Sequence, residues 1–114
     1  MNKIAMRALA ARVSALTDDQ RAQLAASHPI CTIERRSLSV RNTIMCMYQS
    51  GVPFTVVGGF RQWLAAGRCV KKGEHGTYIQ YPCTPAKSDD GEEGKTFFRF
   101  APVFDISQTQ EVTL

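Results

Sequence analysis

The feature that most limits what this chain can fold into lies in its last third. Two runs of alternating side chains, "TYIQYPC" and "KTFFRFAPVFDI", flank a stretch without apolar clusters, "TPAKSDDGEEG". Successive side chains of a β-strand point to opposite faces, so the first run sets Ile79 and Tyr81 against Tyr78 and Gln80. The second groups Phe98, Phe100, Phe104 and Ile106 on one face, with Phe97, Arg99, Ala101 and Val103 on the other. Joined by a polar, glycine-bearing segment, such runs predict an antiparallel hairpin with a long solvated loop. Pro102 has no N–H to give a ladder and so implies an edge, a bulge or a break. A hairpin alone cannot bury enough surface to be stable in water, so the rest of the chain must cover it.

The cover is helical. A helix is predicted from Lys3 to near Leu16, with Ile4, Leu9, Val13 and Leu16 on one stripe. In "TDDQ", Thr17 and Gln20 have capping-box spacing, and Asp18 and Asp19 suit the positive end of a second helix. His28-Pro29 ends it, because the residue before proline avoids helical geometry. "ICTI" is too short to assign. A third helix runs from Ser39, its N-cap, to Ser50, with Val40, Ile44, Met47 and Tyr48 facing the core and Gly51 as a left-handed stop. In "GGFRQWLAAGRCVKKGEHG", Phe60, Trp63 and Leu64 have the spacing of one helical face, Gly67 ends the turn, and Gly73 and Gly76 can take positive φ. The expected fold is α+β: N-terminal helices packed on a small antiparallel β-sheet. With 114 residues, one domain is expected over 1–114, a helical extension at 1–34 and a core at 35–110.

No stretch is long and apolar enough to span a bilayer, and Arg7 and Arg12 interrupt the only signal-like segment, so a cytoplasmic protein is expected. Cys31, Cys46, Cys69 and Cys83 contain no close pair, which argues against zinc and for buried free thiols. His75 lies near Cys69 without a third orienting group, and the acids at 89–93 share no apolar pocket. "KKGEHG" lacks phosphate-loop spacing. No catalytic residue, metal or cofactor is expected.

Binding is the remaining reading. The net charge is +4. From Arg61 to Lys72 there are four cations, Arg61, Arg68, Lys71 and Lys72, and no acid. Arg35, Arg36 and Arg41 form a second group. Cationic grooves lined with aromatics hold single-stranded nucleic acid, and Tyr78, Phe97 and Arg99 are outward-facing candidates. The expected binding residues are Arg41, Arg61, Arg68, Lys71, Lys72, Tyr78 and Arg99. Trp63 reads as a core anchor that aims its basic neighbours outwards. A protein-interaction module using the same surface remains open as the alternative.

Three segments, "SVRNTIMCMYQ", "VVGGFRQWLAAGRCVKKGEHGTYIQYPC" and "FRFAPVFDISQTQ", together resemble the N-terminal domain of the ArdC-type antirestriction proteins of plasmids and phages, a domain also found in some plasmid primases. The resemblance runs from Ser39 to Thr109. It implies sequence-tolerant binding of single-stranded DNA, with RNA left open, and it carries over Asn42, Phe60, Trp63, Gly67, Arg68, Val70, Lys72, Gly73, Glu74 and Gly76. Glu74 is expected to organise its turn rather than touch DNA. The full-length relatives add a zinc metalloprotease-like domain with H-E-x-x-H. These 114 residues lack that motif and are expected to be without zinc-dependent chemistry.

Overall fold

Helix α1 (Lys3–Ser14) begins where the Asn2 side chain accepts the Ala5 N–H, and α2 (Asp18–Ser27) where Thr17 and Gln20 form the expected capping box. The turn between them is locked by Arg21. Its guanidinium donates to the carbonyls of Val13, Ser14 and Leu16 at and just past the end of α1, where helical donors run out, and it pairs with Asp18. The computed structural model describes residues 2–83 and 97–112. The expected acidic hairpin loop lies outside the described residues.

The remaining elements are β1 (Cys31–Thr32), α3 (Val40–Gln49), β2 (Val56–Gly58), α4 (Phe60–Ala65), β3 (Arg68–Val70), β4 (Thr77–Cys83), β5 (Phe97–Asp105), a 3-10 turn (Ile106–Gln108) and β6 (Thr109–Glu111). The fold is α+β. One sheet has the order β1-β2-β5-β4 and β3 pairs with β6 in a second. The larger sheet is mixed, because "ICTI" supplies a short strand parallel to β2, while β2–β5 and β4–β5 are antiparallel.

Helix α3 is the centre of the packing. Ile44 and Met45 join Leu9 and Val13 of α1 in one cluster, against which Leu16, Leu24, Tyr48 and Phe100 pack. Cys46 joins Ile30, Phe54, Val57 and Val103 in the other, with Leu38 and Ile79. The expected stripe on α3 is therefore rotated: Thr43 to Cys46 are buried, whereas Val40 is exposed. A helix between two clusters buries more than one face, and a single-stripe reading misses that. The stripe expected on α1 holds at Leu9 and Val13 and, just past the helix, at Leu16, and fails at Ile4, which is 80% exposed. Gly51 does not take positive φ; α3 ends instead with Ser50 in extended backbone, and among the described residues the left-handed glycines are Gly67 and Gly73.

Helix α3 also closes an edge of the sheet. Tyr78 and Gln80 turn their backbone groups away from β5, because alternate residues of a strand face opposite neighbours. The Asn42 amide meets Gln80 twice: Nδ2 donates to its carbonyl at 2.8 Å and Oδ1 accepts its N–H at 2.9 Å. The Gln49 amide repeats the pattern on Tyr78, at 2.7 Å and 2.9 Å. Seven residues apart, the two side chains lie on one helical face and satisfy the strand edge as another strand would.

A second buried polar device ties β5 to β2. Asp105 is 1% exposed, and its carboxylate accepts the N–H groups of Thr55 at 2.7 Å, Val56 at 3.2 Å and Ser107 at 3.0 Å. Burial, reinforced by the Asp105 charge, pushes the nearby Cys46 thiol up to about 12. Cys46 is buried as expected for a structural thiol, but Cys31, Cys69 and Cys83 are only half-buried.

Two outcomes follow from this packing. Asn42→Ala should cost about 1–3 kcal/mol in urea unfolding, because it strands the Gln80 amide and carbonyl, with faster hydrogen exchange at Gln80. The Cys46 thiol has a folded pKa above its unfolded value of 9.0, so its contribution is complete below that pH. Stability should then fall as pH rises from about 9 towards 12, and Cys46→Ala should lessen the slope in alkaline unfolding curves.

Candidate nucleic-acid interface

The α4–β3 region has an internally bonded base. Trp63 is 3% exposed, and its Nε1 donates to the Phe104 carbonyl at 2.9 Å. The indole reaches the strand because residue 58 is glycine: a Cβ there would sit 2.3 Å from Ile33 Cδ1 and 3.2 Å from Trp63 Nε1. Trp63 is the expected anchor, but Phe60 and Leu64 do not share its burial, being 52% and 46% exposed. A helix of six residues, less than two turns, brings one side chain of its face onto the sheet.

The cations of this region fall into two kinds. Arg68 is half-buried and donates from Nε to Thr109 Oγ1 at 2.7 Å and from Nη2 to the Thr109 carbonyl at 3.2 Å, tying β3 to β6. Lys71 is exposed, with Nζ 3.2 Å from the Ser107 carbonyl. Arg61 and Lys72 are exposed and make no side-chain hydrogen bond among the described residues. Glu74 accepts from Gln108 Nε2, which also donates to the His75 carbonyl, so this turn is held to the 3-10 turn as expected. Tyr78 is half-buried and lines a polar cleft with Glu74, His75 and Gln108.

Arg41 and Arg99 lie elsewhere, at the far end of the β4–β5 hairpin. Helix α3 starts at Val40 and its last hydrogen bond to the β4 edge is at Gln80, so the strand continues past the part that α3 pairs with. The consequence is a hairpin end with exposed aromatics on both faces: Phe98 at 63% on one, and Phe97 at 40% and Tyr81 at 38% on the other. The stripe expected to bury Phe98 and Ile106 therefore fails at both its ends, while Phe100 in the middle packs on the core. Phe98 separates two clefts. One, of about 480 Å3, is lined by Arg41, Asn42, Gln80, Tyr81 and Pro82. The other, of about 490 Å3, is lined by Lys3, Met6, Arg7, Arg99 and Phe100. No acid is among the described residues lining either cleft. The Arg99 guanidinium lies 5.2 Å from the Phe97 ring centroid, a cation–π contact.

The structure thus splits the seven expected binding residues. Arg61, Lys71 and Lys72 are exposed and line neither cleft, half-buried Arg41 and exposed Arg99 line the clefts on either side of Phe98, and Arg68 and Tyr78 are engaged in the fold. Six strand residues, roughly 20 Å at 3.3 Å each, separate Arg99 from the Asp105 end of β5. Sequence reasoning missed Lys3, Arg7, Tyr81 and Phe98. Lys3 and Arg7 were legible as an i, i+4 basic pair; Phe98 was hidden because strand alternation does not reveal where the covering helix begins.

Comparison with known proteins agrees with this architecture. The family described as the N-terminal domain of anti-restriction factor ArdC matches residues 2–109, which takes in α1 and α2. No curated protein shows significant similarity to the chain. A crystal structure of the antirestriction ArdC protein from the R388 plasmid, in metal-free form, superposes with a TM-score of 0.66 at 18% identity, over 92% of this chain. The superposed part is 41% of that protein's chain, so the present chain spans about two fifths of its length.

The two kinds of cation should separate in unfolding experiments. Arg68→Ala is expected to lose about 1–3 kcal/mol through its Thr109 bonds. Lys72→Ala should stay within about 0.5 kcal/mol of the parent.

Proposed function

This chain belongs to the ArdC N-terminal domain family, and from that premise we propose that it binds single-stranded DNA through the far end of its β4–β5 hairpin. The observation that carries the reading is Phe98, a 63% exposed aromatic between two clefts with no acid among their described lining residues, furnished with Arg41 on one side and Lys3, Arg7 and Arg99 on the other. Three aromatics exposed at one end of a hairpin, Phe98 on one face and Phe97 and Tyr81 on the other, gain nothing in stability there and suit a binding surface. Bases stack on the rings while the cations neutralise phosphates. Duplex DNA keeps its base faces stacked internally and offers these rings no partner. Arg61, Lys71 and Lys72 extend the cationic track at the opposite end, and Arg68 acts by fixing β3. By its family, the process served is antirestriction, with the domain holding the incoming single strand of a mobile element.

A second reading has its own observation. Phe60 and Leu64, four residues apart on α4, expose an apolar face away from both clefts, which suits docking on a protein. Phe60→Ser with Leu64→Ser separates the readings: partner binding would fall while DNA binding persists.

Fluorescence anisotropy with a labelled oligonucleotide tests the main proposal. If about four phosphates are neutralised, affinity should fall about fiftyfold between roughly 50 and 200 mM salt. Phe98→Ala should weaken binding by about 1–3 kcal/mol with the salt slope unchanged. Absence of binding at low salt, or binding without a salt slope, would sink the reading.

A further inference from the structure

Within the cleft between the start of α3 and the outer part of β4, we infer a subsite for one guanine base of a DNA single strand, an inference that rests on the reading of the hairpin end as a DNA surface. Its wall is apolar: Pro82 and Phe98 are cross-strand partners, and Tyr81 stands next to them. A base ring stacks on such a wall. Its polar side chains are few among the described residues. Among the described residues the Arg41 guanidinium makes one long hydrogen bond, from Nη2 to the Ala10 carbonyl at 3.5 Å, so most of its five donors remain available. The Gln80 side-chain amide makes none among the described residues, because Asn42 holds only its backbone.

These two groups fit guanine. Its O6 and N7 accept two parallel bonds from a guanidinium fork, the commonest specific base contact. Its N1–H and N2–H2 can donate to a carboxamide oxygen, which the Gln80 amide supplies. Adenine places the N6 donor where O6 would be, so the fork meets a donor and one bond is lost. A base paired in a duplex has its N1 edge occupied and its faces stacked, which restricts the subsite to unpaired guanine. Asn42 lines the same cleft, but both ends of its amide are committed to β4. The family's sequence-tolerant binding would then carry one position of preference, set by Arg41 and Gln80.

The test is anisotropy with thymidine oligonucleotides that carry one central substitution. The parent protein should bind the dG strand about tenfold more tightly than the dA strand, and 7-deaza-dG, lacking N7, should fall towards dA. Arg41→Lys keeps the charge and removes the fork, so the ratio of dG to dA affinity should fall to about one, a ratio in which any loss common to all strands cancels. Gln80→Met, which alters only a side chain outside the strand ladder, should reduce the preference independently. Equal binding of dG and dA strands by the parent would overturn the subsite and leave the DNA surface standing. Failure to bind any strand would overturn both. Preference surviving in both variants would overturn the assignment to these residues. Free dGMP competing as effectively as the dG strand would overturn the assignment to a DNA strand.

Discussion

Two side-chain amides hold this fold in register. Asn42 and Gln49 of α3 meet the outward backbone groups of Gln80 and Tyr78, so a helix takes the place of a missing strand at the β4 edge. The same helix drives Ile44 and Met45 into one apolar cluster and Cys46 into the other. Neither cluster could form with α3 elsewhere. An exposed strand edge invites pairing with other chains, and the amide ladder removes that hazard over the part of β4 it covers.

Where α3 stops, the molecule's surface chemistry begins. The hairpin continues past Gln80 without helical cover, which leaves Tyr81, Phe97 and Phe98 exposed beside Arg41 and Arg99. Helix α1 runs alongside β5 at this end, because Leu9 and Val13 are fixed on α3, and this brings Lys3 and Arg7 to the second cleft. The proposed interface is thus set by helix length and placement more than by any local motif. At the opposite end, Asp105 gathers three backbone donors and the buried Trp63 secures α4, so that part of the fold is held by polar bonds inside the protein.

Much of this was legible in the residues. The bounds of β4, the Thr17–Gln20 capping box, the buried tryptophan and the stop at Gly67 follow from period, capping chemistry and chain stereochemistry, and all are local. What stayed hidden depends on tertiary placement. Phe98 reads as core because its parity matches Phe100, yet only Phe100 reaches α1 and α3. Arg68 reads as a free cation, although Thr109, forty-one positions away, receives its guanidinium. Asn42 stood out only through the resemblance; its purpose, pairing with a strand thirty-eight positions later, has no local signature. The parallel β1–β2 pair was likewise invisible, since two residues carry no period.

The central claim is that DNA is held at the uncovered end of the hairpin. It is tested most directly by mapping amide shifts in a nitrogen–proton correlation spectrum while a short single-stranded oligonucleotide is added. The account predicts fast-growing shifts at Arg41, Tyr81 and Phe97 to Arg99, with smaller ones at Lys3 and Arg7, and little change at Trp63. Shifts confined to Arg61, Lys71 and Lys72, with the hairpin end unmoved, would contradict it.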